Sequence, residues 1–267
     1  MIIINPKGGL GNILFIICNG YSLSKEYNMK LIVNCDYYDK RKNIKDYKLF
    51  KNFKFVDRRF LSILKNINIY KEPEFSYNKQ VIIPDKINFI DGYFQSYKYF
   101  LNDIKEIKEL IYTNVKEEIN EMKLVYNNIK NNKNTVLLHF RRGDYVNLND
   151  IHPEQELSYY QNCLDLITKK VNNIKLIVFS DDINYVKKLD FFKNYDTYFV
   201  TEDDAEKSFL LMTMCDNFII ANSTMSLLAY YFRDNLEAIC CAPKKWFGNK
   251  GPTYNINDIL EERIIKI

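Results

Sequence analysis

A chain of 267 residues, 47% hydrophobic and 27% charged, can bury the core of one large α/β domain or two smaller ones, and that balance excludes a disordered chain. The formal net charge of +4 suits an anionic substrate such as a nucleotide, but basic residues are scattered among acidic ones and no Lys/Arg run marks a nucleic-acid surface. The six cysteines, Cys18, Cys35, Cys163, Cys215, Cys240 and Cys241, form no C-x-x-C pair and several lie inside apolar runs, which speaks against zinc binding and against a disulfide framework.

In chain order, residues 1–6 read as a first strand and not as a signal sequence, since no basic stretch precedes the apolar residues and no apolar run approaches the ~18 residues of a membrane span. A reduced, cytosolic protein is expected, with peripheral association at a membrane surface left open. A Gly-rich turn follows, Asn5-Pro6-Lys7-Gly8-Gly9-Leu10-Gly11-Asn12, then a helical stretch to Tyr27 and a second strand over 30–35. Residues 36–79 are charged, aromatic and irregular, and predict loops and short helices. A strand over 88–93 precedes a long helical stretch, 100–128, with a break near 112–114. The polar run Asn131-Asn132-Lys133-Asn134 is the linker candidate. Beyond it the pattern predicts strands over 135–140, 175–180, 197–201, 217–221 and 237–241, helices over 158–171, 183–189, 205–215 and 224–232, and a closing helix over 256–265. Apolar strands alternating with helices predict an α/β protein of two Rossmann-like halves facing a cleft, 1–130 and 131–250, with 251–267 closing the chain. Ligands of open parallel sheets bind beyond the carboxyl ends of the strands, so the loops after residues 4, 93, 140, 180, 201, 221 and 241 are the ones to inspect.

Five segments in those loops carry chemistry. His139-Phe140-Arg141-Arg142-Gly143-Asp144-Tyr145 leaves an apolar strand as a compact cationic loop. Arg presents a rigid fork of donors that matches phosphate oxygens, and a fixed Arg stabilises the charge that grows on a departing nucleoside diphosphate. An Arg–Asp pair closing a surface turn is the plainer alternative. The Gly8–Asn12 turn lets backbone N–H groups approach an anion at a helix start, or is a tight turn and no more; it is neither a Walker A loop nor a full G-x-G-x-x-G, because Leu14 takes the third glycine position. Asn222-Ser223-Thr224 either caps a helix or binds a phosphate there. Asp181 and Asp182 offer a metal or ribose contact, with Asp182 better read as a helix cap. The segment Asp91–Phe100, with Tyr93, Gln95 and Tyr97, suits sugar stacking and hydroxyl hydrogen bonding, or ordinary aromatic packing.

Taken in order, these segments resemble the α-1,2-fucosyltransferases of glycosyltransferase family 11. The resemblance runs from residue 5 to about 247. It includes the glycine motif at 8–12, the central aromatic motif at 92–100 and an H-x-R-R-G-D signature at 139–144. Three further blocks are Phe179-Ser180-Asp181-Asp182, Ala221-Asn222-Ser223-Thr224-Met225-Ser226 and Ala242-Pro243-Lys244-Lys245-Trp246-Phe247. The chain departs from the family pattern at Ile13-Leu14-Phe15-Ile16, where Gln-Met-Phe-Gln is usual, and at Leu227-Leu228, where Trp is usual. The resemblance implies a GT-B-like fold with an N-terminal acceptor half and a C-terminal donor half. It also implies an inverting, metal-independent transfer of fucose from GDP-fucose to a glycan hydroxyl, galactose O2 being the expected position, with no cofactor. The implied catalytic residues are Arg141, Arg142 and Asp144, with Asp144 the first choice of general base or else an orienter of Arg. Donor contacts fall to Gly9, Gly11, Asn12, His139, Asp181, Asn222, Ser223 and Thr224, and acceptor contacts to Tyr93, Gln95 and Tyr97. Another nucleotide 6-deoxy sugar as donor, or a homologue that binds without turnover, are the alternatives; a nicotinamide oxidoreductase would need the dinucleotide fingerprint that this chain lacks.

Overall fold

The computed structural model describes residues 1–36, 38–39 and 42–267; the side chains of Tyr38, Asp39, Arg58 and Asp144 lie outside the description. The chain forms two compact units, residues 1–116 with 253–259, and residues 117–252 with 260–267.

In the first unit β1 (Ile2–Ile4) is three isoleucines, all fully buried, and it occupies the centre of the sheet. An uninterrupted apolar strand belongs in a parallel sheet covered on both faces. α1 (Leu10–Glu26) returns over it, buried for most of its length. β2 (Leu31–Asn34) pairs with one side of β1, Ile3 against Ile32. A small antiparallel ribbon, β3 (Tyr38–Asp39) and β4 (Lys42–Asn43), leads to β5 (Phe55–Val56), α2 (Arg58–Ile63), β6 (Ile67–Lys71) and β7 (Ile87–Asp91). The sheet order is β5-β2-β1-β7-β6, parallel throughout. The segment 36–79, expected as loops and short helices, therefore supplies both edge strands. β5 has two residues and β6 exposes Ile69, so neither leaves the apolar run that marks a central strand.

The expected break in the long helical stretch separates α3 (Ile104–Thr113) from α4 (Lys116–Lys130). Asn114 and Val115 bond back to Ile111 and Tyr112, and the Asn114 amide donates to Leu49 O at 2.8 Å. Nearly all of α4 belongs to the second unit, so that unit begins before the polar run at 131–134. Tyr126 hydrogen bonds Thr135, and Lys130 pairs with Asp216 at 2.8 Å.

The second unit is built on β8 (Asn134–Phe140), buried from its second residue on. α5 (Leu157–Thr168), β9 (Ile174–Ser180), α6 (Ile183–Val186), β10 (Thr197–Phe199), α7 (Ala205–Thr213), β11 (Asn217–Ile219), α8 (Thr224–Tyr231) and β12 (Cys240–Ala242) follow. The expected closing helix is instead a single turn, α9 (Ile256–Ile259), grouped with the first unit, and an edge strand of the second, β13 (Ile265–Lys266). Ile265 pairs with Cys241, so its apolar side chain serves a sheet and not a helix face. The sheet order is β10-β9-β8-β11-β12-β13, all parallel. Counted along the unit, that is 3-2-1-4-5-6, the order of the dinucleotide-binding fold, and the direction of winding reverses between β8 and β11.

All six cysteines are free and buried. An Ellman titration of the native protein should find no fast-reacting thiol, and six should appear on denaturation.

Candidate active site

β8 and β9 run in register, Phe140 opposite Ser180, so the loops that leave them emerge side by side. Arg141 and Arg142 leave β8 and lead into a 3₁₀ turn, Gly143–Asn147. Asp181, at the end of β9, grips this loop with both oxygens. Oδ2 lies 2.8 Å from Arg141 Nη1, and Oδ1 accepts the Arg142 backbone N–H at 2.8 Å. A Cβ at position 143 would overlap Asp181 Oδ2, so the glycine of Arg-Arg-Gly-Asp is set by this close approach. The Arg142 guanidinium stacks 3.7 Å from the Tyr185 ring centre, with Nη1 2.7 Å from Glu154 Oε2 and Nε 3.5 Å from Asp182 Oδ2. The same Asp182 caps α6 by accepting the Tyr185 N–H at 3.3 Å, as its position after a strand suggested. A cavity of about 400 Å³ lies beside both arginines, lined also by Glu154, Gln155, Tyr160 and Tyr185.

β11, on the other side of β8, delivers Asn222 and Ser223. Asn222 is buried and its amide is committed at both ends: Nδ2 donates to Trp246 O at 3.0 Å, and Oδ1 accepts from Gln155 Nε2 at 3.2 Å. Its carbonyl accepts the Tyr145 hydroxyl at 3.0 Å, so Asn222 fastens the loops after β8, β11 and β12 together. Ser223 is the N-cap residue of α8, yet its hydroxyl makes no capping bond. Thr224 is the first residue of that helix.

His139 lies within β8, buried, with Nδ1 2.9 Å from Ser226 Oγ in α8. Ser226 Oγ also lies 3.3 Å from Ser223 O, so one hydroxyl links the imidazole to the start of the helix. Burial, and then the positive charge of Arg141, push the His139 pKa down to about 4. His139, expected as a nucleoside contact, ties strand to helix through Nδ1, and burial keeps its ring neutral. Asp181, expected in the same role, spends both oxygens on the arginine loop. Asp144 sits in the 3₁₀ turn with its side chain outside the described residues.

The first unit gathers the remaining expected residues where its own winding reverses, between β1 and β7. Gly8 has φ +77°, and Gly9 is the N-cap of α1 with no side-chain cap; Gly11 is buried within the first turn. Gln95 Nε2 donates to Asn12 Oδ1 at 3.1 Å, joining the glycine and aromatic motifs. Tyr93 stacks on Phe75, and Lys7 lies 4.9 Å from the Tyr93 ring centre while pairing with Asp91 at 3.0 Å. Tyr97 is half-buried in the turn Tyr97–Tyr99. Glu72 emerges only from the structure: it accepts the Tyr93 N–H at 2.6 Å and the Phe94 N–H at 2.9 Å, holding Phe94 at φ +51°. Burial raises the Glu72 pKa, against the pull of those two N–H groups. It stands in the segment without apolar periodicity, so only the pairing of β6 with β7 brings it to Tyr93. Glu154 and Tyr185, likewise missed, lie outside the motif they support.

The profile of glycosyl transferase family 11 matches residues 22–257. The chain belongs to glycosyl transferase family 11. It is a glycosyltransferase. The match begins beyond the glycine turn at 8–12. The chain is 28% identical to an alpha-1,2-colitosyltransferase of Escherichia coli, over 92% of each chain. It is 26% identical to the O-antigen biosynthesis glycosyltransferase WbnK of Escherichia coli, over 90% of this chain and 93% of the other. Among solved structures, fucosyltransferase NodZ from Bradyrhizobium superposes with a TM-score of 0.55 at 12% identity, over 88% of this chain and 96% of that one. POFUT1 in complex with GDP gives 0.51 at 12% identity, over 89% and 95%. Those two likenesses are of fold, and they make the family 11 chain GT-B-like. Among the described residues no group of three or more His, Cys, Asp or Glu is placed to hold a metal ion, and no helix is long and apolar enough to cross a membrane.

The low pKa of His139 has a sign that can be tested. The unfolded chain protonates this ring near pH 6.5, the native one near 4, so protons favour unfolding in that window. Stability should fall as pH drops from about 6.5 toward 4, and more steeply in the native sequence than in His139→Gln, as read by urea unfolding at stepped pH.

Proposed function

We propose that the second unit binds GDP-fucose and that the protein transfers fucose to a hydroxyl of a glycan, with galactose O2 the expected position and inversion at the anomeric carbon. The observation that carries this reading is the loop of Arg141 and Arg142, which leaves β8 next to β11 at the reversal of winding and bonds through Tyr145 to Asn222 O, just ahead of an α8 N-terminus that its own Ser223 does not cap. Open α/β sheets take their nucleotides at such a reversal, and uncapped helix starts favour phosphate. Diphosphate oxygens would take up hydrogen bonds that Arg141 and Arg142 now give to Asp181 and Glu154, with Ser223 and Thr224 contributing at the helix terminus.

In the transfer, the bond from the sugar's anomeric carbon to the β-phosphate oxygen breaks as the acceptor oxygen bonds to that carbon. The electron pair leaves with GDP, and the guanidinium charge is worth most at that moment. Asp144 is assigned the acceptor proton, as the carboxylate carried on the arginine loop. The first unit is assigned the acceptor, through Tyr93, Gln95 and Tyr97. No metal is assigned a part, the two arginines providing the positive charge. A second reading, transfer of another 6-deoxy sugar from its nucleotide, is favoured by the similarity to an alpha-1,2-colitosyltransferase and by the Ile13–Ile16 departure.

Calorimetric titration with GDP, UDP, dTDP and GDP-fucose in the presence of a chelator tests the donor. Selective binding of GDP and GDP-fucose is expected; preference for UDP or dTDP would overturn the donor assignment. Arg142→Lys should lower kcat on the order of a hundredfold or more, the scale of losing one transition-state donor, in a radiolabelled transfer assay.

A further inference from the structure

The first unit holds a second cavity, of about 420 Å³, whose wall is the latter half of α1. Asn19 and Ser22, one turn apart on that helix, both line it. Asn19 is 1% exposed and Ser22 9%, and the Asn19 Nδ2 and Ser22 Oγ atoms have no hydrogen-bond partner. Gln80 Nε2 donates to Asn19 Oδ1 at 2.8 Å; turning both amides over would leave Oδ1 unpaired in place of Nδ2, so an unmet polar atom stands either way. Two adjacent buried polar groups left without partners are costly in a finished core and are ordinary in a site that awaits a ligand.

The rim states the ligand's chemistry. Tyr77 is 41% exposed and lies 4.8 Å, centre to centre, from Tyr99, giving an aromatic face beside the amides. Of the three lysines on the wall two are spent, Lys25 on Asp103 at 2.9 Å and Glu106 at 2.6 Å and Lys98 on Asp258, which leaves Lys79 as a single cation and not a cluster. A phosphate asks for clustered unspent cations, and a hydrocarbon would leave Asn19 and Ser22 unmet. A neutral molecule dense in hydroxyls, with one apolar face to lie on a tyrosine, satisfies both parts of the wall. Asn19 is ten residues along α1 from its Gly9 N-cap, ~15 Å at the helical rise, which is too far for the sugar unit at the glycine turn itself.

We propose that this cavity is a saccharide subsite that holds a distal unit of the acceptor glycan, a proposal that rests on the acceptor-side reading of the first unit. The full chain, free of donor, is titrated with lactose, maltotriose and chitotriose at millimolar concentration while the side-chain amide signals of Asn19 and Gln80 are followed by ¹⁵N NMR. A saturable shift with at least one of the three is expected, lost in Tyr77→Ala and weakened about tenfold in Ser22→Ala. No saturable shift with any of them, or a shift unchanged in the variants, would overturn the proposal. If Ser22→Ala does not fold, Tyr77→Ala, at an exposed position, decides alone. GDP affinity, measured on the same samples, should be unchanged in both variants; it reads residues of the second unit, so the donor assignment and the saccharide subsite can fail independently.

Discussion

One carboxylate, Asp181, fixes the loop that carries both arginines. Its two oxygens divide the work, one on the Arg141 guanidinium and one on the Arg142 backbone N–H. Hydrogen bonds to a charged group contribute roughly 1.5–3 kcal/mol when solvent is partly excluded, enough to hold a short loop in one shape. That shape requires glycine at 143 and sets the start of the 3₁₀ turn that carries Tyr145. Tyr145 then reaches Asn222, and Asn222 reaches Trp246. Polar bonds thus run from β9 to β12 across the carboxyl edge of the sheet.

Around that edge, aromatic hydroxyls from α5 hold the strand ends in place. Tyr160 donates to His139 O at 3.0 Å and Tyr159 to Ile220 O at 2.6 Å, both in buried surroundings where a hydrogen bond is strong and an unpaired carbonyl expensive. His139 adds a third tie, from β8 to α8, and does so as a neutral ring because burial and the Arg141 charge both oppose protonation. The result is a frame that carries two partly exposed guanidiniums at the carboxyl edge of the sheet. The first unit solves a similar problem with a different group. Glu72 receives two consecutive backbone N–H groups and fixes Tyr93 and the left-handed Phe94, placing an aromatic ring over a Lys7–Asp91 pair.

By itself the sequence determined the parallel α/β class, the central strands and the chemical character of the loops. Long apolar runs such as Ile2–Ile4 and Val136–Leu138 have one stable place, the middle of a covered sheet, and an Arg-Arg-Gly-Asp stretch after such a run puts two cationic side chains in a loop at a strand end. The break at 112–114 was legible because Asn and Thr interrupt the helical pattern. Edge strands β5, β6 and β13 were not, since a strand paired on one side buries too little to stamp a period on its sequence. Only the tertiary structure decided the partners. Asp181 is fastened to the arginine loop and Asn222 to the loops after β8 and β12, and Glu154, Tyr185 and Glu72 entered from segments with no motif at all. Partner choice depends on strand order and register, which bring together residues tens of positions apart. A motif read along the chain records what a residue can do but not which neighbour it will meet.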